Sequence, residues 1–369
     1  MFQFSSYFNR FFLIKQHLIK KISLYNKKEW TMLINRCRIK KKGGNFMKKS
    51  TKIILKATGI IGTSALASYY MIGNFFYLVT LTKKGLENPV VAKIASGSKK
   101  DDEEKIRLNK LMEVGKEWFN NADKEKIAIK STNFHKNLHA DYIFAENESN
   151  VCVIVIHGYT SSPCSMGVYA QKYHELGYNV LMPSLNGHAD SESGVVTMGW
   201  HDRLDVIDWI NYLVESNPDI KIILHGVSMG AATTMMTTGE ELPDNVKVAV
   251  ADCGYTSVWD IFDNKIRNNF KMHSFPTLYS ANAVNKLYSG FDFKKASSVE
   301  QLKKSKTPTI FLHGDKDTFV PYEMLDKVYD ACASEKKKVT IPNSPHARNS
   351  CSNPELYWNS ICNFINKYI

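Results

Sequence analysis

The chain has 369 residues, of which 44% are hydrophobic, enough for one large packed domain, and this composition excludes disorder over most of its length. Its formal net charge of +12 is concentrated at one end, because residues 1–56 hold 15 Lys and Arg side chains and one acid. The other 313 residues are close to neutral, with 33 bases and 35 acids. The charge therefore does not predict nucleic-acid binding by the folded part of the chain.

An uncharged, apolar run from Ala57 to Leu81 follows this basic leader. The run is long enough to cross a bilayer as a helix, and the lysines directly before it favour a cytoplasmic N-terminus. We therefore predict an N-terminal membrane anchor over residues 47–82, with the catalytic domain on the extracytoplasmic side of the cell membrane. The small residues of Ala65-Leu66-Ala67 leave secretion after signal cleavage as the alternative.

Residues 1–46 form a separate basic leader. The stretch from Lys41 to Met47 back-translates to a purine-rich sequence, a short spacer and a start codon, which is the pattern of a bacterial ribosome-binding site. Our hypothesis is that translation of the native protein starts at Met47.

Residues 83–126 are predicted to form a linker and an amphipathic helix. A capping box that begins at Ser98 opens the helix, which continues to about Asn120. Its expected docking face consists of Ile106, Met112, Trp118 and Phe119.

Strand and helix patterns alternate over residues 127–369, which predicts an α/β domain built on a doubly wound, mostly parallel sheet. The predicted strands are 127–132, 138–144, 151–156, 179–183, 221–224, 246–251, 309–312 and 338–341, and the predicted helices include 203–215 and 354–368. Between about 255 and 301 the alternation is lost and aromatic residues accumulate. This stretch predicts a short helical lid, with an ordinary packed excursion as the alternative.

The sequence Gly226-Val227-Ser228-Met229-Gly230 lies between an apolar strand and a helix-forming run. A strand, a sharp turn and a helix are what the G-x-S-x-G nucleophile elbow requires, since the glycines let the strand and the helix approach closely. The pattern makes Ser228 the candidate nucleophile.

A serine nucleophile needs a base and an acid that orients the base, and in this architecture the acid and then the histidine follow the serine along the chain. Asp315 and Asp317 follow the strand that ends at Leu312, and His346 follows the strand that ends at Ile341. Both loops come at carboxyl ends of strands, where open α/β sheets assemble their sites. The spacing leaves both aspartates open as the acid.

Four motifs carry a resemblance to a known family: IHGYTSSP at 156–163, HGVSMG at 225–230, HGDKDTFVP at 313–321 and PHA at 345–347. Together they resemble the α/β-hydrolase superfamily, and most of all its membrane-anchored bacterial serine hydrolases of the serine aminopeptidase and carboxylesterase branch. The resemblance covers about residues 127–369 and implies an α/β-hydrolase fold with a lid inserted at about 255–301.

The resemblance also assigns roles to residues. It implies Ser228 as nucleophile, His346 as general base and Asp317, the second aspartate of its motif, as the orienting acid, with Asp315 as the alternative. It places the oxyanion hole at the backbone N–H groups of Tyr159 and Met229.

Three further histidines lie beside glycines at strand ends, and we interpret them as structural: His157, His225 and His313. The chain departs from its relatives in the loop Gly187-His188-Ala189-Asp190-Ser191, where many of them have G-H-G-x-S. An alanine in place of the second glycine restricts this loop and puts in doubt any substrate preference carried over with it.

We therefore expect a serine hydrolase that cleaves carboxylic esters or related acyl bonds of a small-molecule substrate through an acyl-enzyme. No metal, organic cofactor or nucleic-acid partner is expected. Aminopeptidase or amidase action and acyl transfer are alternatives on the same triad. A non-catalytic binding protein with the hydrolase fold is the alternative outside the enzymes.

Overall fold

The computed structural model describes residues 44–88, 103–134 and 136–369, and only the backbone of 44–61 and 103–105. The predicted leader up to residue 43 and the capping box at Ser98 lie outside these residues.

The sheet has eight strands in the order β1-β2-β4-β3-β5-β6-β7-β8. Their bounds are β1 Glu125–Lys130, β2 Asn137–Ile143, β3 Val151–Ile156, β4 Asn179–Pro183, β5 Lys221–Val227, β6 Val246–Asp252, β7 Thr309–Gly314 and β8 Lys336–Ile341. Only β2 runs antiparallel to both of its neighbours, β1 and β4, and every pairing from β4 to β8 is parallel. The predicted mostly parallel α/β sheet is confirmed.

Twelve helices precede, connect and follow these strands in the described residues. Their bounds are α1 Gly44–Thr80, α2 Lys83–Leu86, α3 Glu103–Asn121, α4 Gly167–Glu175, α5 Asp202–Ser216, α6 Met229–Thr237, α7 Val258–Phe270, α8 Thr277–Ser289, α9 Ser298–Leu302, α10 Glu323–Ala331, α11 Asn349–Ser352 and α12 Pro354–Ile365.

Two apolar cores cover the two faces of the sheet, and β3 shows how one strand supplies both. Cys152, Ile154 and Ile156 belong to one core, whereas Val151, Val153 and Val155 belong to the other. Since successive side chains of a strand point to opposite faces, a continuous apolar run is what a strand buried on both sides requires. The sheet is thus a rigid platform for the loops at its carboxyl edge.

The C-terminal part of α1 packs against the folded domain, and Tyr69–Ile369 form one compact unit. Tyr77 and Leu81 are buried, and the Tyr77 hydroxyl is 2.9 Å from Ser289 Oγ at the end of α8. Gly73 lies so close to α8 that an added Cβ would be 2.3 Å from the Ser280 carbonyl oxygen. Part of the run predicted to cross a bilayer, including Gly73, Tyr77 and Leu81, therefore packs against the rest of this unit.

Among the described residues, no helix combines the length and the hydropathy that crossing a membrane requires.

The segment 255–301 consists mainly of α7 and α8, with α9 at its end. Phe262 of α7 is in edge-to-face contact with Phe76 of α1, with ring centres 5.2 Å apart. The two helices therefore pack on one side against α1.

The helix α3 docks against α4 through a face that differs in part from the predicted one. Phe119 is buried and Met112 and Trp118 pack at the edge of the core, but Ile106 is exposed. Leu108 is buried instead of Ile106, because a shift of two residues turns a side chain to another face of a helix.

Candidate active site

Ser228 lies in a strained turn between β5 and α6. Its φ of 58° and ψ of −115° are outside the regions that a residue with a side chain normally occupies. A Cβ at Gly226 would lie 2.1 Å from the Gly230 carbonyl oxygen, and one at Gly230 would lie 2.0 Å from that of Ile156. Glycine at both positions is thus what allows the strand and the helix to approach and the turn to close.

The structure brings together Ser228, His346 and Asp317 from three loops at the carboxyl edge of the sheet. His346 Nε2 is 2.8 Å from Ser228 Oγ, and His346 Nδ1 is 2.6 Å from Asp317 Oδ2. With its Nδ1–H donated to the carboxylate, the imidazole presents Nε2 as an acceptor to the serine hydroxyl. This is the arrangement of a nucleophile, a base and an orienting acid.

Asp317 is buried, and four donors surround its carboxylate. Oδ1 accepts hydrogen bonds from the backbone N–H groups of Phe319 at 2.8 Å and Val320 at 2.9 Å, while Oδ2 faces His346 and, at 3.2 Å, His313 Nε2. Burial acts to raise the pKa of Asp317, but His346 and the hydrogen bonds from His313 and His346 outweigh it. The resulting pKa lies well below the usual range, so the carboxylate remains charged.

Asp315 takes no part in this constellation. Its side chain is exposed, and Oδ1 accepts a hydrogen bond from the backbone N–H of Asn343 at 2.7 Å. Asp315 therefore joins the loop after β7 to the loop after β8, and the geometry favours Asp317 as the acid.

The predicted oxyanion hole consists of two backbone N–H groups, that of Met229 at the start of α6 and that of Tyr159 in the loop after β3. Among the loop and cap hydrogen bonds of the described residues, neither N–H donates to a protein acceptor. A Cβ added to Gly158 would be 3.4 Å from Ser228 Cβ, so this loop passes directly beside the nucleophile. Donors that are free and close to the serine are what a developing oxyanion needs.

Side chains hold the Tyr159 loop in place. The Tyr159 hydroxyl donates to the Thr80 carbonyl oxygen at the end of α1, at 2.8 Å. His188 Nε2 accepts a hydrogen bond from the backbone N–H of Thr160 at 3.2 Å. No role was predicted for His188, although its position in the G-H-x-x-S pattern is a signal that could have indicated one.

The three histidines interpreted as structural occupy different surroundings. His157 Nε2 accepts from the Leu185 N–H, and His225 lies between the hydroxyls of Tyr173 and Tyr357. Burial lowers the pKa of His157 and of His225 to about 3, so both are neutral. His313 contacts the triad itself, because its Nε2 faces both Asp317 and the Val320 carbonyl oxygen, the latter at 3.0 Å.

The loop that departs from the family pattern has a strained backbone at one residue. Ala189 has a φ of 41°, in the left-handed region that favours glycine. Its carbonyl oxygen accepts a hydrogen bond from Lys83 Nζ at 2.8 Å, so the segment after α1 holds this loop.

One group of potential metal ligands overlaps the triad. Cys253 Sγ and the ligand atoms of Asp317 and His346 lie within 4.8 Å of one another. Burial raises the pKa of the Cys253 thiol well above its usual value, and a protonated thiol is a poor metal ligand. The carboxylate and the imidazole are already hydrogen-bonded within the triad, so these residues fit a triad better than a metal site.

A family model for the prolyl oligopeptidase family matches residues 167–369, more than half of the chain and all three residues of the triad. The chain belongs to the prolyl oligopeptidase family. The chain is a serine hydrolase with the α/β-hydrolase fold, as its four motifs predict.

Two relatives illustrate the range of similar sequences. The chain is 24% identical over 225 residues to the uncharacterized protein YqkD of Bacillus subtilis, which covers 61% of this chain and 74% of that protein. It is 25% identical over 234 residues to a thermostable monoacylglycerol lipase of Bacillus sp. (strain H-257), covering 56% and 86%. Among solved structures, the esterase Pf2001 of Pyrococcus furiosus superposes with a TM-score of 0.54 at 22% identity, covering 67% and 93%, which supports the fold.

Proposed function

We propose that the protein hydrolyses carboxylic esters of small-molecule acyl substrates through an acyl-enzyme on Ser228. The hydrogen-bond chain from Ser228 Oγ through His346 to Asp317 is the observation that carries this proposal. The similarity to a monoacylglycerol lipase supports an ester as the scissile bond.

In this proposal, His346 Nε2 takes the proton of the Ser228 hydroxyl as Oγ attacks the acyl carbon. The N–H groups of Tyr159 and Met229 stabilise the resulting oxyanion, and the Asp317 carboxylate stabilises the imidazolium. His346 then gives the proton to the leaving alkoxide, which departs as an alcohol. Water repeats these steps on the acyl-enzyme, releases the carboxylic acid and restores the serine.

A fluorophosphonate probe tests the nucleophile, because it reacts with activated serines. We expect the wild-type protein to be labelled and Ser228→Ala to remain unlabelled. Equal labelling of both proteins would refute the role of Ser228, and no labelling of wild type would favour a non-catalytic binding protein. Ser350, which is buried outside the triad, gives a control variant, Ser350→Ala, that should label like wild type.

Peptidase or amidase action is the second candidate, and the family match is the observation that favours it. The triad would attack an amide in the same way, and acyl transfer would replace water by another acceptor. A panel of p-nitrophenyl esters and aminoacyl p-nitroanilides separates the candidates. Faster hydrolysis of the anilides would overturn the proposal of an esterase.

We further propose that the protein belongs to the membrane-anchored branch, with its catalytic domain outside the cytoplasmic membrane. Basic residues before an uncharged run support this orientation. Met71, Phe75 and Leu78 of α1 are exposed apolar side chains, as a helix facing lipid would have. A reporter fused after Ile369 should be active outside the cytoplasm, and cytoplasmic activity would refute the orientation.

Secretion after signal cleavage is the alternative localisation. Cleavage after Ala67 would leave intact the unit that begins at Tyr69. N-terminal sequencing of mature protein distinguishes the two, because an anchored protein retains residues 47–67.

A further inference from the structure

Lys265 of the lid helix α7 lies one aromatic ring away from the base of the triad. Its Nζ is 3.4 Å from the centre of the Phe319 ring. The Phe319 ring in turn stacks on the His346 imidazole, with centres 4.8 Å apart and planes at 28°. A cation of α7 is therefore separated from the base of the triad by a single aromatic ring.

The half-buried side chain of Lys265 forms no salt bridge with any carboxylate of the described residues. Asp317, whose charge acts on Lys265 from a distance, is already paired with His346 and His313. On the same helix, Asp263 pairs with Arg267 Nε at 2.8 Å and also binds Ser274. Asp260 accepts the Thr256 hydroxyl at 2.6 Å. The carboxylates of α7 are thus engaged elsewhere.

The surroundings make this lysine ready for an anion. Burial lowers the pKa of Lys265 to about 8, although the Asp317 carboxylate opposes the shift, and the amine is still mostly protonated at neutral pH. The face of an aromatic ring compensates only in part for the water that a half-buried ammonium loses. An anionic group beside Nζ would provide a charge-assisted hydrogen bond in place of the lost water.

We propose that Lys265 binds an anionic group of the substrate, a carboxylate or a phosphate, a few bonds away from the scissile carbonyl. The inference rests on the proposed ester hydrolysis and narrows its substrates to negatively charged esters. Lys265 is then a specificity-determining residue, which contacts the substrate without taking part in bond cleavage.

The lid offers a matched control in Lys294. Its Nζ lies 4.3 Å from the centre of the Trp259 ring and 5.4 Å from that of Tyr279, so it also makes cation–π contacts, but it is exposed and contacts no triad residue. Lys294→Met removes the same charge and the same kind of contact from the same lid.

The test compares kcat/KM on three esters: neutral p-nitrophenyl pentanoate, p-nitrophenyl hydrogen glutarate with an anionic acyl group, and pentanoyl 4-hydroxyphenyl phosphate with an anionic leaving group. Lys265→Met should lower kcat/KM for at least one anionic ester by about 10- to 100-fold, the size of one charge-assisted hydrogen bond. The neutral ester should change by less than about threefold. Lys265→Arg should retain most of the selectivity, and Lys294→Met should leave all three rates near wild type.

Equal losses on all three esters in Lys265→Met would overturn the inference, because they would make Lys265 a contact that only holds the lid. Unchanged rates on both anionic esters would overturn it as well. If Lys265→Met does not fold, Lys265→Gln replaces it, and its rate on the neutral ester shows whether it is folded. Loss of the selectivity for anionic esters in folded Lys265→Gln would support the proposal, and retention of that selectivity would overturn it. Failure of wild type to cleave any ester would instead refute the proposed ester hydrolysis.

Discussion

Gly73 offers a direct test of the packing of α1 on α8. In Gly73→Ala the new Cβ would lie 2.3 Å from the Ser280 carbonyl oxygen and 2.9 Å from Val284 Cγ2. The oxygen belongs to the backbone of α8, so the two helices must separate, and such overpacking costs about 1–3 kcal/mol. Gly62→Ala is the matched control, because it lies in the same helix and its Cβ would meet no atom within 4 Å.

Gly73→Ala gains about 1 kcal/mol of helix propensity, which offsets part of the clash. Gly62 lies before the compact unit that begins at Tyr69, so Gly62→Ala controls for a Gly-to-Ala change in the same helix without a contact to α8. We expect Gly73→Ala to be less stable than Gly62→Ala by about 1–3 kcal/mol in urea unfolding of the full chain, followed by tryptophan fluorescence. Equal stability of the two variants would show that α1 does not pack on α8 in solution, and would refute the reasoning.

Three further predictions concern the acid, the altered loop and the buried histidines. Asp317→Asn should lower kcat on an ester substrate by about 10⁴-fold, whereas Asp315→Asn should stay near wild type; the reverse order would assign the acid to Asp315. Ala189→Gly should raise the free energy of unfolding by about 0.5–1 kcal/mol, since it relieves a φ of 41°, and a lower melting temperature would contradict this. Burial lowers the pKa of His157 and of His225 to about 3 in the folded protein, so these side chains take up protons when the chain unfolds. The stability that they contribute is therefore complete above about pH 6.5 and is lost as the pH falls toward 3. The two histidines should therefore lower the free energy of unfolding by up to about 2.7 kcal/mol per pH unit between pH 7 and 4.5. Asp205, whose pKa burial raises to about 6, acts in the opposite direction, so a stability in urea unfolding that rises as the pH falls would contradict the histidine linkage.

The sheet and the triad could be predicted because their signals are local. The apolar runs of the strands set the platform, and strain at Ser228 demands the glycines that frame it. His346 could be located because it follows a strand at the same edge as the serine, and the resemblance to the hydrolases singled out Asp317. Spacing alone left Asp315 open, since only the fold shows that its carboxylate turns to the Asn343 N–H.

The packing of the apolar run 57–81 could not be predicted from a local pattern. Hydropathy measures the preference of a side chain for an apolar environment, and a protein interior offers one as a bilayer does. Tyr77 and Leu81 satisfy that preference inside the domain. Their partners are distant in the sequence: the Tyr77 hydroxyl contacts Ser289 of α8, and the Leu81 carbonyl oxygen accepts a hydrogen bond from the Val196 N–H. No pattern in the run itself indicates such partners.

The end of α1 connects elements of the active site that the sequence keeps far apart. Tyr77 contacts Ser289, the last residue of α8, and three residues later the Thr80 carbonyl oxygen accepts a hydrogen bond from the Tyr159 hydroxyl. The backbone N–H of that same Tyr159 is one of the two proposed oxyanion donors, so a contact at Thr80 fixes the loop on which the donor lies. Lys83 Nζ then donates a hydrogen bond to the carbonyl oxygen of Ala189 and so holds that loop. The compact unit begins at Tyr69, and a boundary at residue 83 would remove the contacts that Tyr77 makes with α8 and that Thr80 makes with the Tyr159 loop.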